Sequence, residues 1–528
     1  MKTLSKSLLV VLLFPIVALA QNGTKPIITS DVLKLATANQ IEISPDGSKA
    51  VMVVTRKATK KDRDYYYTRH LYMVNLTTSG EPIQLTFGDR NDGQPTWSPD
   101  NRNIAFVRRD GDASQVWILP LNGGEAYPLT KVKSGASQPN WSPDGKTILF
   151  TSSIPAHDIN GTPGWENERP GREFGDEPNW QGMKDAEKKD VKNSPDGSIE
   201  EIRAWLAKNA SEKNPRVLTR LQFQAENDLE PERRFSHLFT IPFNADATST
   251  QITSGFQSFT QASWSPDGSK IICTSEQPNK EPDANRKSSI WIMNADGSGV
   301  KEFISFPEYP ALGAQYSPDG KSLLFLTRSG QDFLRGQFEL AVVSATGGKH
   351  TILTNDFDRD VSSPNWSADG KTIYFTASAD GDVPLYSIPS KGGNPTILIG
   401  DDKGVMDYDL KGDKVVYAKT EIANPWDVYQ MSIKDKKVTQ LTNLNDVWLK
   451  EKKITLPKEY WITRPDGVKV QYWVMEPLNK KDGTKYPTIL NIHGGPTAMW
   501  GPSGFSMWHE FQMQVGWGYG LVFCNPRG

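Results

Sequence analysis

Short runs of alternating apolar and polar residues recur along most of this chain, and each run follows the same kind of turn. The turn reads aromatic-Ser-Pro-Asp-Gly, and the run after it has the form Lys-x-Ile-x-Phe, as at 146–150. Ser, Pro, Asp and Gly suit successive positions of a type I turn, and a period of two is typical of a half-buried strand. Each copy therefore predicts a turn that leads into a β-strand.

Seven copies of this turn are present, and one of them is degenerate. They lie at 44–47, 97–100, 141–145, 264–268, 316–320, 366–370 and 408–412, the last with Lys411 in the place of Asp. Each copy has a second half, in which an apolar strand and a Gly- or Asn-containing turn precede a strand that ends near Leu-Thr. Four short strands per unit are the pattern of a propeller blade.

The spacing of the turns predicts the number of blades. The gaps between positions 46, 100, 144, 267, 319, 369 and 411 are 54, 44, 123, 52, 50 and 42 residues. Six gaps join seven units, so we predict seven blades over residues 21–446. The long gap is interpreted as one blade, the third, interrupted by an insert at 155–235. An eighth blade hidden in that gap is the alternative.

The insert has a different composition from the blades. Residues 157–190 are polar and rich in Gly and Pro, 198–206 predicts a short helix with a Glu-rich start, and 220–224 resumes an extended character. Ser194-Pro-Asp-Gly197 lies among charged residues and lacks the aromatic anchor. Loops that project from a rigid scaffold often gate or line a site, and a solvated loop is the other interpretation.

Residues 1–20 have the composition of a secretory signal. Lys2 and Lys6 precede an apolar stretch, and Ala18-Leu19-Ala20 supplies a small-x-small cleavage pattern. A membrane anchor is the alternative, but spanning takes about 20 apolar residues and Pro15 interrupts this shorter run. We therefore expect a cleaved signal and an exported protein, periplasmic or extracellular, with no membrane attachment after signal cleavage.

Composition and charge exclude several classes of partner and cofactor. The 60 Lys and Arg against 62 Asp and Glu leave no global field that would attract nucleic acid or acidic lipid. Cys273 and Cys524 are the only cysteines, and we expect two buried free thiols rather than a disulfide framework. Met513 stands where a His509-Glu510 metalloprotease helix would need its second His. We predict no metal and no cofactor.

The pattern changes from about Val447. A Pro-Asp-Gly hairpin over 461–474 is followed by a near-continuous apolar run, 486–493, of the kind expected for a strand buried on both faces of a sheet. That run leads directly into His493-Gly-Gly-Pro496, and a second predicted buried strand follows at 519–524. A His-Gly-Gly turn at the end of a strand can supply an oxyanion-hole N–H in α/β-hydrolases, because Gly lets the backbone approach an oxyanion without a Cβ.

These motifs together resemble the prolyl oligopeptidase family of serine peptidases. The Trp-Ser-Pro-Asp-Gly repeats, "YPTILNIHGGP" (486–496) and "GYGLVFCNPRG" (518–528) carry the likeness, which is greatest to the acylaminoacyl-peptidase and dipeptidyl-peptidase-like exported branch. The resemblance implies a mainly β fold, a seven-bladed β-propeller followed by the N-terminal part of an α/β-hydrolase domain at 447–528. It also implies short peptide substrates, a Ser, Asp and His triad, and an oxyanion-hole N–H from Gly495 with Gly494 shaping the approach.

The sequence departs from the family pattern in one respect. No Gly-x-Ser-x-Gly occurs, and the nearest approach, Gly501-Pro-Ser-Gly-Phe505, has its second Gly one place early. We expect the triad beyond Gly528, a truncated or frameshifted chain that does not hydrolyse peptides as it stands, and a cut domain with an exposed apolar sheet edge. His493 is interpreted as a turn residue and His509 as a surface or packing residue.

Two questions stay open at the level of sequence. A non-catalytic exported propeller that binds or scaffolds a partner is the competing function, supported by the missing nucleophile and opposed by the retained hydrolase strands. The paired-Glu motif of the dipeptidyl-peptidase IV branch is not found, and Glu200-Glu201 is interpreted as a solvated pair at a helix start. That favours an oligopeptidase or acylaminoacyl-peptidase over a proline dipeptidase.

Overall fold

A computed structural model describes most of the chain. It describes residues 23–60, 63–78, 80–111, 113–161, 192–211, 224, 233–244, 247–276, 287–307, 309–328, 336–400, 403–495, 498–504 and 507–526. The signal predicted at 1–20, Pro496 and much of the insert lie outside these ranges. Within them, no helix is long and apolar enough to cross a membrane.

The described residues are mainly β, and their first seven sheets are four-stranded and antiparallel, with the strands side by side in chain order. Sheet 1 contains β1 (Thr37–Ile43), β2 (Lys49–Lys60), β3 (Arg63–Asn75) and β4 (Ile83–Gln84). Sheet 2 contains β5 (Asp92–Trp97), β6 (Asn103–Asp110), β7 (Ala113–Pro120) and β8 (Tyr127–Pro128). Sheet 3 contains β9 (Ser137–Trp141), β10 (Thr147–Pro155), β11 (Arg234–Pro242) and β12 (Thr250–Gln251). Sheet 4 contains β13 (Phe259–Trp264), β14 (Lys270–Glu276), β15 (Ser288–Asn294) and β16 (Lys301–Ile304).

The remaining strands complete three more such sheets and one mixed sheet. Sheet 5 contains β17 (Ala311–Tyr316), β18 (Ser322–Arg328), β19 (Phe338–Ser344) and β20 (Thr351–Ile352). Sheet 6 contains β21 (Val361–Trp366), β22 (Thr372–Ala377), β23 (Leu385–Pro389) and β24 (Thr396–Ile399). Sheet 7 contains β25 (Gly404–Lys411), β26 (Lys414–Thr420), β27 (Asp427–Ser432) and β28 (Val438–Gln440). Sheet 8 contains β29 (Lys458–Thr463), β30 (Lys469–Met475), β31 (Thr488–Asn491) and β32 (Gly520–Cys524).

Five short helical segments accompany these sheets in the described ranges. The α-helices are α1 (Ile199–Ser211), α2 (Asp446–Leu449) and α3 (Trp508–Gly516), and the 3-10 helices are Thr29–Lys34 and Ala156–Asp158.

The repeated turn is held by its own Ser and Asp. In the fourth copy the Ser265 hydroxyl donates to Asp267, 2.5 Å from Oδ1, and the Ser269 amide donates to the same carboxylate at 3.0 Å. These bonds hold the pKa of Asp267 at about 2, chiefly through the Ser265 hydroxyl. The Ser265 oxygen in turn accepts the Lys270 amide at 2.9 Å. The Ser-Pro-Asp-Gly motif therefore folds the turn and starts the next strand.

The Trp and Thr of the repeat join neighbouring strands and sheets. The Trp97 indole donates to the carbonyl of Glu42 in sheet 1 at 3.0 Å, and the Trp141 indole donates to the carbonyl of Thr96 in sheet 2 at 3.3 Å. The Thr of the Leu-Thr pattern is buried and accepts a main-chain N–H of the third strand, as Thr86 does from Leu71 at 3.0 Å. The aromatic and Leu-Thr positions are thus explained by inter-strand hydrogen bonds as well as by packing.

Sheet 7 packs against sheet 1. Ala38 and Val54 of sheet 1 share one apolar cluster with Val416 of sheet 7 and with Trp426, which directly precedes β27. The Trp426 indole donates to the Ala38 carbonyl at 2.7 Å. The amides of Ile41 and Ile43 donate to carboxylates on β25, at Asp407 and Asp409, at 2.8 and 2.7 Å. The first and last of the seven sheets are therefore joined by side chains rather than by a shared strand.

The insert leaves sheet 3 between its second and third strands. Pro155 pairs with Arg234 at the end of the β10–β11 ladder, so the insertion occupies a hairpin position. The helix predicted at 198–206 is α1, and its start is capped reciprocally, because the Ser198 amide donates to Glu201 at 2.7 Å and the Glu201 amide donates to the Ser198 hydroxyl at 3.3 Å. The extended stretch predicted at 220–224 lies outside the described residues except for Gln224.

Two predictions of burial in sheet 8 are wrong. Its order is β29-β30-β32-β31, with β31 parallel to β32 at one edge. Helix α3 packs on one face, where Phe511 and Val515 meet Leu521 and Phe523. No described element covers the other face, so the run predicted as a doubly buried strand has Leu490 57% exposed. Cys524 is half-buried for the same reason, whereas Cys273 is a buried free thiol with its pKa raised by burial to about 12.

Candidate functional site

The glycine turn, residues 493–495, lies in the connection between a strand and a helix of sheet 8. Strand β31 ends at Asn491, and the next helix along the chain is α3, which packs under the sheet. In an α/β-hydrolase sheet the loop between the third strand and the following helix contributes an N–H to the oxyanion hole. Because β31 is the third strand of sheet 8 in chain order, the turn occupies the corresponding place.

The backbone of the turn requires glycine at one position and leaves space at the other. Gly495 has φ +138, and a Cβ there would lie 2.6 Å from the Cβ of Ala498. A Cβ on Gly494 would meet nothing within 4 Å. Among the described residues, neither amide donates to a protein acceptor. The turn therefore presents two amides that a small anionic oxygen could approach.

His493, the first residue of the turn, and Trp500, which follows the turn, both contact Asn525. The Asn525 side chain accepts the Trp500 amide at 2.8 Å and donates to the Trp500 carbonyl at 2.9 Å. Its Oδ1 lies 3.2 Å from Nε2 of His493, whose ring stacks obliquely on Trp500 at a centroid distance of 4.9 Å. The His493 Nδ1 lies 3.0 Å from the Gly494 carbonyl. His493 is thus part of the turn, in agreement with the prediction.

An aromatic layer supports the turn from below. The Trp500 ring meets Phe511 edge-on at 5.7 Å, Phe511 stacks on Phe523 at 4.5 Å, and Phe523 stacks on Trp473 at 5.2 Å. Phe511, Phe523 and Trp473 are at most 3% exposed. Interlocked rings of this size resist displacement, so the layer gives the turn a rigid base.

An N-terminal strap, residues 23–36, connects the seven sheets to sheet 8. Asp31 is fully buried, its carboxylate forms a 2.5 Å ion pair with Lys452, and it also accepts the Ile28 amide at 2.9 Å. Although burial opposes ionisation, hydrogen bonds from Lys34, Lys452 and the Ile28 amide, together with the Lys452 charge, hold the pKa of Asp31 below its usual value. His509 on α3 is buried and its ring donates to the Ile28 carbonyl at 3.0 Å, so it is a packing residue.

Some of the residues around the turn could not be named from sequence. Asn525 falls within the run 518–528 that carries the family likeness, but its contact with Trp500 depends on a fold that brings positions 25 residues apart together. The acidic pair at Glu200 and Glu201 lies on α1, where Glu201 caps the helix. In the part of the chain that the structure describes, no group of three or more His, Cys, Asp and Glu could hold a metal ion.

Comparison with known families and proteins matches this chain to a propeller domain and to peptidases. The profile of the TolB beta propeller domain matches residues 31–159. An uncharacterized peptidase, YuxL, of Bacillus subtilis is 26% identical over 522 residues, which cover 96% of this chain and 71% of that protein. Dipeptidyl-peptidase 5 of Porphyromonas gingivalis is 25% identical over 485 residues, covering 88% of this chain and 62% of that protein. The chain thus spans about two thirds of these relatives' length.

Solved structures share the fold. An acylaminoacyl peptidase in complex with a peptidyl chloromethyl ketone superposes with a TM-score of 0.67 at 18% identity, over 94% of this chain and 66% of that one. The acylaminoacyl peptidase of Pyrococcus horikoshii superposes with a TM-score of 0.66 at 18% identity, over 96% of this chain and 67% of that one. At this identity the likeness establishes the fold alone.

Proposed function

This chain is related to the peptidases of the prolyl oligopeptidase family, and from that premise we propose that it forms the propeller and the first part of the catalytic domain of an exported serine peptidase. Such an enzyme hydrolyses short peptides through an acyl-enzyme. The observation that carries the proposal is the glycine turn between the third strand of sheet 8 and α3, where Gly495 has φ +138 and neither glycine amide has an acceptor among the described residues.

In this proposal the Gly495 amide donates to the oxyanion of the tetrahedral intermediate. Gly494, which has no Cβ and open space beside it, lets the substrate carbonyl reach that amide. A donor of this kind acts on charge that develops in the transition state, and removing one typically costs about 10²–10³ in kcat. Asn525 and the aromatic layer hold the turn, so that the amide is aligned before the substrate binds.

We further propose that sheets 1–7 are the seven blades of one propeller, residues 21–446, and that it covers the catalytic domain, residues 447–528. Sheet 8 and its helix α3 contact the hairpins between the second and third strands of sheets 6 and 7. The Gln471 side chain on β30 donates to the Asp380 carbonyl, and the Trp508 indole on α3 donates to the Ile422 carbonyl, both at 2.9 Å. The insert leaves sheet 3 at the equivalent hairpin, which in a single propeller would lie at the same end. A cover of this kind would admit short peptides and exclude folded proteins.

The 528 residues contain no Gly-x-Ser-x-Gly, so we propose that they do not turn over a peptide by themselves. In the chain order of an α/β-hydrolase, the nucleophile, Asp and His follow the fourth strand.

We propose export on the composition of residues 1–20; N-terminal sequencing of the secreted protein should find Gln21 as its first residue, and a retained Met1 would contradict export with cleavage.

The test of the peptidase proposal compares two proteins on the same substrates. One is the polypeptide that contains these residues, isolated from the organism that makes it; the other is the recombinant chain of residues 21–528. With N-acyl-aminoacyl and dipeptidyl p-nitroanilides, we expect hydrolysis by the first, abolished by a serine-directed inhibitor, and none by the second. An inactive native polypeptide would instead favour a binding propeller, and hydrolysis by the recombinant chain would show that its nucleophile lies within these residues.

A further inference from the structure

The glycine turn is followed by a segment that contacts the connection between the second and third strands of sheet 6. This docking segment, residues 498–504, meets the docking hairpin, residues 379–382, which joins β22 to β23. Ser503 is 1% exposed, and its hydroxyl oxygen lies 3.1 Å from the Gly381 carbonyl oxygen and 2.9 Å from Oδ1 of Asp382. The Thr420 hydroxyl of sheet 7 donates to the Ser503 carbonyl at 2.6 Å. Ser503 is therefore fixed by two neighbouring sheets.

The two backbones at this contact touch directly. A Cβ on Gly501 would overlap the backbone of Gly381, and a Cβ on Gly381 would overlap the Trp473 ring of the aromatic layer. The Gly381 amide lies 3.3 Å from Sδ of Met499. Contacts this close leave little room for the docking segment to slide against the docking hairpin.

A second connection runs from the docking hairpin to the glycine turn through β30. Gln471 is 5% exposed, and its side-chain amide donates to the Asp380 carbonyl at 2.9 Å. The Gln471 carbonyl accepts the amide of Asn525 at 3.2 Å. Asn525 then holds Trp500 with two hydrogen bonds and lies beside His493.

The two connections form a closed loop. One runs from the docking hairpin through Ser503 to Trp500, and the other runs from the same hairpin through Gln471 and Asn525 to Trp500 and His493. Both end on the residues that flank Gly494 and Gly495. The docking hairpin is therefore linked by two routes to the residues beside the glycine turn.

We propose that the seven-sheet part of the molecule positions the glycine turn, and that Ser503 and Asn525 are the positioning residues. The amides of Gly494 and Gly495 are aligned only while the docking hairpin contacts the docking segment. The position of sheet 6 therefore determines whether the turn can stabilise an oxyanion. This catalytic interpretation rests on the proposed function, but the mechanical coupling does not.

The coupling is tested on the recombinant chain of residues 21–528 without any turnover. The variant Ser503→Ala removes the hydroxyl at the docking hairpin, and the matched control Ser367→Ala removes the hydroxyl of the Ser-Ala-Asp-Gly turn at the opposite end of the same sheet, where it accepts the Thr372 amide at 2.9 Å. Two readouts are followed: the NMR ring resonances of His493 in histidine-labelled protein, and hydrogen exchange at the Trp500 amide.

We expect Ser503→Ala to shift the His493 resonances and to speed exchange at Trp500 by tenfold or more, with strand β22 unchanged. Ser503→Thr, which keeps the hydroxyl, should restore both readouts, and Asn525→Asp should alter them without contact with sheet 6. Ser367→Ala should lower the melting temperature without moving either readout. A folded Ser503→Ala protein with unchanged His493 and Trp500 signals would overturn the coupling, and so would equal changes in Ser367→Ala.

These outcomes are separate from those of the peptidase assay. Unchanged readouts would overturn the coupling even if the native polypeptide hydrolyses peptides. If the coupling is observed but the native polypeptide is inactive, the docking hairpin still positions the glycine turn, but that positioning has no role in catalysis.

Discussion

Glu42 lies at the junction of sheets 7, 1 and 2, and its replacement by Gln should remove much of the pH dependence of the protein's stability that arises there. The Glu42 carboxylate accepts the Trp97 amide at 3.0 Å and the Thr96 hydroxyl at 3.1 Å, and it faces Asp409 across the junction. Burial and the Asp409 charge raise the pKa of Glu42 from 4.5 to about 8, against the effect of those two hydrogen bonds. The substituted amide would keep an acceptor oxygen at this junction but carry no charge at any pH.

The direction and size of the effect follow from linkage. Between pH 4.5 and about 8 the folded protein holds a proton on Glu42 that the unfolded chain has released, so stability is greatest at the acidic end and falls as pH rises. The slope approaches about 1.4 kcal/mol per pH unit. With an unfolding entropy of about 2.1 cal/mol/K per residue over a chain of this length, that slope is on the order of 1–2 °C per pH unit.

The assay compares melting temperatures of wild type and Glu42→Gln at pH 6, 7 and 8 by scanning fluorimetry. The buried neighbour Asp409 has its own pKa raised by burial to about 6, so it contributes near pH 6 and Glu42 dominates the change above pH 7. We expect the wild type to lose on the order of 2–4 °C more than the variant across this pH range. Glu81→Gln, at an exposed position, is the control and should follow the wild type. Parallel curves for wild type and Glu42→Gln would refute the reasoning.

Two further substitutions test how sheet 8 is attached and packed. Asp31→Asn leaves Lys452 buried without its counter-ion and should lower the free energy of unfolding by about 3–5 kcal/mol. Glu451→Gln, at the exposed pair with Lys25, should lower it far less. Equal melting temperatures for the two variants would contradict the buried strap. Phe523→Ala should cost about 3–5 kcal/mol and hasten proteolysis within 498–526, while Leu490→Ala on the open face of the same sheet should do neither; similar proteolysis of both would contradict the aromatic layer.

Local chemistry explains why the repeat could be predicted from sequence. Ser265, Pro266, Asp267 and Gly268 fold a turn through contacts within six residues, so the motif carries its own structure. The same is true of the α1 start, where Ser198 and Glu201 cap each other three residues apart. Such features do not depend on the remainder of the fold.

Features set by distant parts of the chain could not be predicted in this way. The apolar run at 486–493 indicates a buried strand, but its exposure depends on whether another layer covers sheet 8, and Leu490 is largely exposed. The N-terminal strap falls within the range predicted for the propeller, yet Asp31 pairs with Lys452, more than 400 positions away. The role of Ser503 likewise depends on the docking hairpin, 121 positions earlier at Asp382.

The candidate site could be located in the sequence for a related reason, while its catalytic role stays a prediction. Gly494 and Gly495 stand out because a His-Gly-Gly turn after a strand has a known use, and the structure puts them at the end of β31 before α3. Asn525 and Trp500 act through contacts between segments, so their sequence pattern alone does not indicate a role.

We propose above all that these residues belong to a serine peptidase whose nucleophile is not among them. The most direct measurement is covalent labelling by a fluorophosphonate, applied to the native polypeptide and to recombinant residues 21–528, with the labelled peptides identified by mass spectrometry. We expect the native polypeptide to be labelled on the serine of a Gly-x-Ser-x-Gly sequence and the recombinant chain to remain unlabelled. A native polypeptide that contains these residues and takes no label, or a label on a serine within 21–528, would contradict the claim.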